Sequence, residues 1–204
     1  MCIRDSISTA RGLDMVRAAK AEGLPVTCEV TPHHLFLTED NIGDDYSTAL
    51  KVNPPLRTAA DAEALIAGVI DGTVDAIVTD HAPHTAWEKD REFELAPFGM
   101  IGLETSLGLV ITNLVATGKI SWERMTELMG ANQRAILGVE RVALEAGSTA
   151  DLTVIDPEAA WTVDAADFCS KAKNSGFIGA QLTGRATDVY VGGYATMEDG
   201  KIVE

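Results

Sequence analysis

Basic residues are scarce in this chain: 16 Lys and Arg stand against 31 Asp and Glu in 204 residues, a formal net charge of −15. That sign repels phosphate backbones and anionic lipid, which argues against nonspecific nucleic-acid or membrane-surface binding. Cysteine is sparse as well. Cys2, Cys28 and Cys169 are odd in number, scattered and without C-x-x-C spacing, which fits reduced thiols and not a disulfide frame or a zinc knuckle. No apolar run approaches the roughly 20 residues of a membrane helix, and no basic start followed by an apolar stretch marks a signal peptide, so a cytoplasmic protein is expected. What remains, 46% hydrophobic and 23% charged residues, is ordinary globular composition. Length is also in short supply, because a complete (β/α)8 barrel takes about 250 residues.

Apolar residues at near-helical spacing run through Leu13, Met15, Val16, Ala18 and Ala19, with Ser8 or Thr9 as N-cap candidates and Gly23 as a stop. A β-rich stretch, Leu24–Val30, comes next and ends at Thr31-Pro32-His33-His34. The pattern repeats. Thr58 can cap a second helix with Leu65, Ile66, Val69 and Ile70 on its apolar side and Gly72 at its end, and Ala76–Thr79 reads as a short buried parallel strand. That strand ends in Asp80-His81-Ala82-Pro83-His84. Two helix-to-strand units with ionisable residues at the C-terminal strand ends are what a parallel α/β barrel or doubly wound sheet offers a ligand. A charged loop over 85–100, an apolar helix over 103–115 and a shorter helix over 121–129 come next. Past Gly147 the pattern changes to short strands at Leu152–Ile155, Asp188–Val191, Tyr194–Met197 and Lys201–Val203, the last three joined by Gly192-Gly193 and Asp199-Gly200 hairpin turns.

Asp80 is the strongest candidate for chemistry. A carboxylate at the end of a buried strand can simply cap a turn or pair locally. Beside two histidines it can also ligate a divalent ion and take a proton from a metal-bound water whose pKa is lowered toward about 7. Asn53 has a bland alternative too, as the cap of a Pro-Pro turn.

The ordered motifs Glu29–Leu35, Lys51-Val52-Asn53-Pro54-Pro55-Leu56-Arg57 and Asp80–His84 resemble those of the dihydroorotase family, of the amidohydrolase superfamily. Ala96–Thr105 and Ala150–Asp156 are similar to two further segments of that family. The resemblance implies an α/β fold: the last two to three strands of a metal-dependent (β/α)8 barrel over residues 7–140 and a small β-sandwich segment over 141–204. It implies a hydrolase acting on cyclic amides, interconverting N-carbamoyl-L-aspartate and dihydroorotate in pyrimidine synthesis, with one or two zinc ions. Hydantoinase or allantoinase activity, or a non-catalytic scaffold, are the alternatives. A homodimer or an association with aspartate transcarbamoylase would be the protein partners.

Position by position, the resemblance makes Asp80 both a zinc ligand and the catalytic base on the eighth strand. Asn53, His84, Phe98 and Gly99 become substrate contacts. His81 is turned away from the pocket, and His33 and His34 line the barrel from the seventh strand. One departure stands out. Ser6 occupies the place of a zinc-ligating histidine before Ile7-Ser8-Thr9, and the family's other metal ligands have no counterpart in the sequence. Residues 1–6 read as a non-native leader of sequencing-adapter origin, and the isolated chain is expected to be inactive.

Overall fold

The computed structural model describes residues 6–203. Cys2 and most of the expected leader, residues 1–5, lie outside the described residues.

Helix α1 (Ala10–Ala21) starts where the Thr9 side chain accepts the Gly12 N–H, so Thr9 and not Ser8 is the cap, and the chain leaves it through Gly23 at φ +76°. Strand β1 (Glu29–Val30) is much shorter than the stretch from Leu24 suggests. Pro25 has no N–H for a ladder, and Val26 N–H is spent on Leu24 O at 2.8 Å. Directly after β1 the chain coils into a helical turn, α2 (Pro32–Phe36), whose Thr31 cap accepts His34 N–H. Helix α3 (Ala59–Asp71) has the expected Thr58 cap and a left-handed Gly72 at its end. Strand β2 (Ala76–Ile77) then pairs in parallel with β1, Glu29 opposite Ala76 and Val30 opposite Ile77. Ser6 bridges Glu29 from the other side, in the same sense.

This parallel unit is held by an aliphatic core. Leu13, Val30, Leu65, Val69, Val74 and Ile77 are buried together with Leu114 and Leu128 from later helices. Each fully buried side chain of this size stabilises the fold by about 1.5–3 kcal/mol. Helices α1 and α3 approach closely because Gly68 has no side chain; a Cβ there would lie 2.6 Å from Leu13 Cδ2. At the edge of the unit, Lys20 pairs with Asp75 at 2.7 Å, and the same carboxylate accepts Cys28 N–H at 2.8 Å.

A four-residue turn α4 (Ala86–Lys89), capped by Thr85, opens the charged loop. The apolar helix then begins at Ser106 and not at Leu103, as α5 (Ser106–Val110) running into a π-helical turn Ile111–Val115. Helix α6 (Trp122–Thr126), capped by Ser121, does not stop at Gly130: a second π-turn, Glu127–Ala131, carries the helical path into α7 (Asn132–Leu137). Gly inside a helix costs only about 1 kcal/mol, so it weakens the helix without ending it.

The C-terminal strands form one antiparallel sheet in the order β3 (Leu152–Thr162), β4 (Gln181–Val191), β5 (Tyr194–Glu198) and β6 (Lys201–Ile202). Strands β3 and β4 are longer than their sequence suggests. The register slips between Asp156 and Ala160, a bulge that takes Pro157 out of the ladder without ending the pairing. The hairpin turns fall where expected, with Gly192, Gly193, Asp199 and Gly200 all at positive φ. The sheet packs through Leu182 of β4 onto a second core that contains Leu109, Val163, Phe177, Met100 and Ile101.

Candidate functional site at the strand ends

Beyond β2 the backbone turns at Asp80, which adopts φ +46°, a left-handed conformation that few non-glycine residues take. The turn leaves the Asp80 carboxylate exposed, and no described group donates a hydrogen bond to it. His81 then bridges to Met100, and its Nδ1 accepts the N–H groups of Gly102 and Leu103 at 3.2 and 3.3 Å. Its ring therefore pins the returning end of the 85–100 loop.

His84 sits against that same loop. Its Nε2 lies 2.8 Å from Phe98 O, and its Nδ1 is 3.9 Å from Glu88. Gly99, at φ +117°, could not be any other residue without displacement: a Cβ would fall 2.4 Å from Ala82 Cβ. Its N–H reaches Lys51 O at 2.8 Å, so residues 51–53 join the group. Asn53 itself is exposed, preceding a cis peptide to Pro54. Asp80, Asn53, His84, Phe98 and Gly99 thus lie on three chain segments cross-connected at one end of the parallel unit.

His34 ties the β1 end to the same place. Its Nδ1 is 2.7 Å from Thr31 Oγ1 and its Nε2 is 2.7 Å from Pro54 O. A carbonyl can only accept, so Nε2 carries the proton and Nδ1 accepts from the threonine hydroxyl. Burial holds the His34 pKa below its usual value, against the pull of the Pro54 carbonyl and of nearby Asp80. His33 is driven further, to about 3, by burial and by its neighbour, and its Nε2 has no hydrogen-bond partner. Both imidazoles are therefore neutral groups in the protein interior, in contrast to the exposed Asp80.

Three cations surround these segments, and the sequence drew attention to none of them as a charge. Lys51 is buried, donates to Glu94 O at 2.9 Å, and lies 4.6 Å from the Phe98 ring centroid. Lys89, also buried, donates to Thr48 O and Pro97 O at 3.0 and 2.8 Å, and burial together with Lys51 lowers its pKa to about 8. Arg57 is close enough to His34 to disfavour its protonation, and its buried Nε is unpaired. Asn174, from a segment between β3 and β4, reaches in with its side chain to His84 N–H, Ala82 O and Gly99 O. Nothing local in the sequence marks it.

A metal ion needs several donors, usually three or more from the protein. Among the described residues no group of three His, Cys, Asp or Glu side chains converges on one point. Asp80 is a single donor, His34 has both ring nitrogens engaged and His81 and His84 one each, and Ser6 points its hydroxyl at Glu29. These residues alone do not fit a zinc ion.

No family model matches the chain. Its fold is similar to nearly half of the hydantoinase chain. It superposes on L-hydantoinase (dihydropyrimidinase) from Arthrobacter aurescens with a TM-score of 0.92 and 31% identity, covering 100% of this chain and 46% of that one. On D-hydantoinase (dihydropyrimidinase) from a Thermus species the TM-score is 0.91 at 26% identity, with 99% and 45% covered. In sequence the relation is to dihydroorotases. The dihydroorotase of Pelotomaculum thermopropionicum is 48% identical over 193 residues, 95% of this chain and 45% of that protein. That of Chlorobaculum tepidum is 49% identical over 185 residues, 90% and 42% of the two. The chain therefore spans less than half the length of the curated relatives it matches.

Proposed function

We propose that this chain supplies the strand-end and C-terminal part of a dihydroorotase. Residues 7–140 would form the last two to three strands of its (β/α)8 barrel, and residues 141–204 a segment of its β-sandwich. The observation behind this proposal is the cross-connection of residues 51–53, 80–84 and 98–99 at one strand end, in a chain nearly half identical to dihydroorotases.

The reaction is hydrolysis of a ring amide and its reversal. Water adds to the carbonyl carbon, the ring C–N bond breaks, and the departing nitrogen needs a proton. Asp80 is the group placed to accept the proton of the attacking water and hand it to that nitrogen, because its carboxylate is exposed and uncommitted. Asn53 offers an amide that can donate and accept at the ring edge. The exposed Phe98 ring offers a flat apolar face to a substrate ring, and His84 holds the Phe98–Gly99 turn through Phe98 O. Substrate held this way converts an encounter into a near-unimolecular step. Arg57 brings positive charge toward a dianionic substrate in an acidic protein. Zinc chemistry in the whole enzyme would need further donors besides Asp80.

The test is a chimera in which residues 7–204 of this chain replace the aligned segment of the Pelotomaculum dihydroorotase, whose own residues are kept up to that point. Hydrolysis of dihydroorotate, with hydantoin and dihydrouracil left untouched, is the expected result. Preference for hydantoin would favour the second reading, a hydantoinase, to which the 31% identity with the Arthrobacter enzyme points. A folded chimera silent toward both would leave a non-catalytic scaffold, a reading compatible with the likeness in fold, at TM-score 0.73 and 20% identity, to an inactive dihydroorotase-like domain of a CAD-like protein. The chain alone, with zinc added, is expected to turn over nothing.

A further inference from the structure

We infer that Asn174 is a positioning residue of the strand-end site: it fixes the His84 loop and the Phe98–Gly99 turn relative to one another. The inference rests on the dihydroorotase proposal for what the site binds, although the cross-link itself does not depend on it.

Asn174 is polar and only 7% exposed, and its side chain is fully used. Its Oδ1 accepts His84 N–H at 3.1 Å, while Nδ2 donates to Ala82 O at 3.0 Å and to Gly99 O at 3.2 Å. Its own carbonyl accepts Ile101 N–H at 3.0 Å. A carboxamide is the side chain that presents one acceptor and two donors within this span; a carboxylate lacks the donors and an aliphatic chain lacks everything. Without it the two loops keep Ala82 N–H to Met100 O and the contact of His84 with Phe98 O, but the carbonyls of Ala82 and Gly99 lose the donor they share. The segment presenting Asn174 is itself anchored, since Phe168, Ala172 and Phe177 are buried in the second core and Lys173 Nζ donates back to Phe168 O. An element remote in sequence thereby sets the spacing of two groups assigned to substrate.

The experiment uses the 15N-labelled chain and the same substitutions in the chimera. Asn174→Ala should speed exchange of the His84 amide about tenfold or more and shift the amide resonances of Ala82, His84 and residues 98–100 together. Asn174→Asp keeps the acceptor and loses the donors, so the His84 amide should stay protected while Ala82 and Gly99 shift. His84 exchange within about twofold of the parent in Asn174→Ala, or identical behaviour of the two variants, overturns the inference. If Asn174→Ala does not fold, the split between His84 and Gly99 in Asn174→Asp decides. In the chimera, the KM for dihydroorotate should rise about fivefold or more with kcat changed less than about twofold, because ligand contacts move while Asp80 does not. A fall in kcat at constant KM would mean that Asn174 merely supports folding. A parent chimera inactive on dihydroorotate would defeat the dihydroorotase proposal and leave the exchange data to judge the cross-link.

Discussion

The two parallel strands end in similar residues and meet opposite fates. After β1, Thr31 caps a helical turn with Pro32 at its first position, and His33 and His34 are folded inward to 2% and 3% exposure. After β2, Asp80 takes a left-handed turn and leaves its carboxylate in solvent, while the residues behind it are clasped by the 85–100 loop. An ionisable residue at a strand end is therefore not yet a reactive one. The local backbone decides: a Thr-Pro cap withdraws the next side chains into the core, whereas the turn at Asp80 presents one.

The sharpest way to break this contrast is to delete one side chain at each end. His34→Ala should cost about 3 kcal/mol in urea unfolding, through a buried cavity and an unpaired Pro54 carbonyl. Equal losses for His34→Ala and Asp80→Ala would erase the distinction. Gly99→Ala should cost about 2–3 kcal/mol, since it combines a positive φ with a clash at Ala82, and would show that the exposed end is nonetheless tightly built. The histidine end should also sense acid. The unfolded chain protonates His33 near its ordinary pKa of 6.5, but the folded chain resists down to about 3, so stability falls as pH drops below 6.5. The loss from His33 alone is about 2 kcal/mol at pH 5, with His34 adding in the same direction, and His33→Phe should flatten its share of a stability-versus-pH curve. Least of all, Asp80→Asn should change stability by no more than about 0.5 kcal/mol, because Asn tolerates the left-handed region, while lowering chimera turnover about 100-fold or more.

Much of the parallel unit and of the C-terminal hairpins is legible in the sequence because their signals are local. Thr9 and Thr58 as caps, Gly72 as a stop, and Gly192-Gly193 and Asp199-Gly200 as turns all act through neighbours within four residues. The turn at His33-His34 has its own local signal, Thr31 before Pro32, which the β-rich run in front of it masks. Strands β3 and β4 run past the Leu152–Ile155 and Asp188–Val191 stretches because they pair with each other, and only the partner strand shows that a bulge absorbs Pro157. At the site, Asp80 stands out by its chemistry at a strand end, and residues 53, 84, 98 and 99 by the family resemblance. The buried amines of Lys51 and Lys89 and the amide of Asn174 do not, since a side chain satisfied by distant carbonyls leaves no periodic trace.

The bonds from Asn174 to Ala82, His84 and Gly99 span 92, 90 and 75 residues of chain. Contacts of such separation are slow to form, because loop-closure entropy precedes any gain. During synthesis, moreover, the Asp80 turn is made well before Asn174 exists. The site is therefore among the last parts of the molecule to mature, and a nascent or truncated chain ending short of residue 174 would carry every motif residue with the spacing between its two loops still unset.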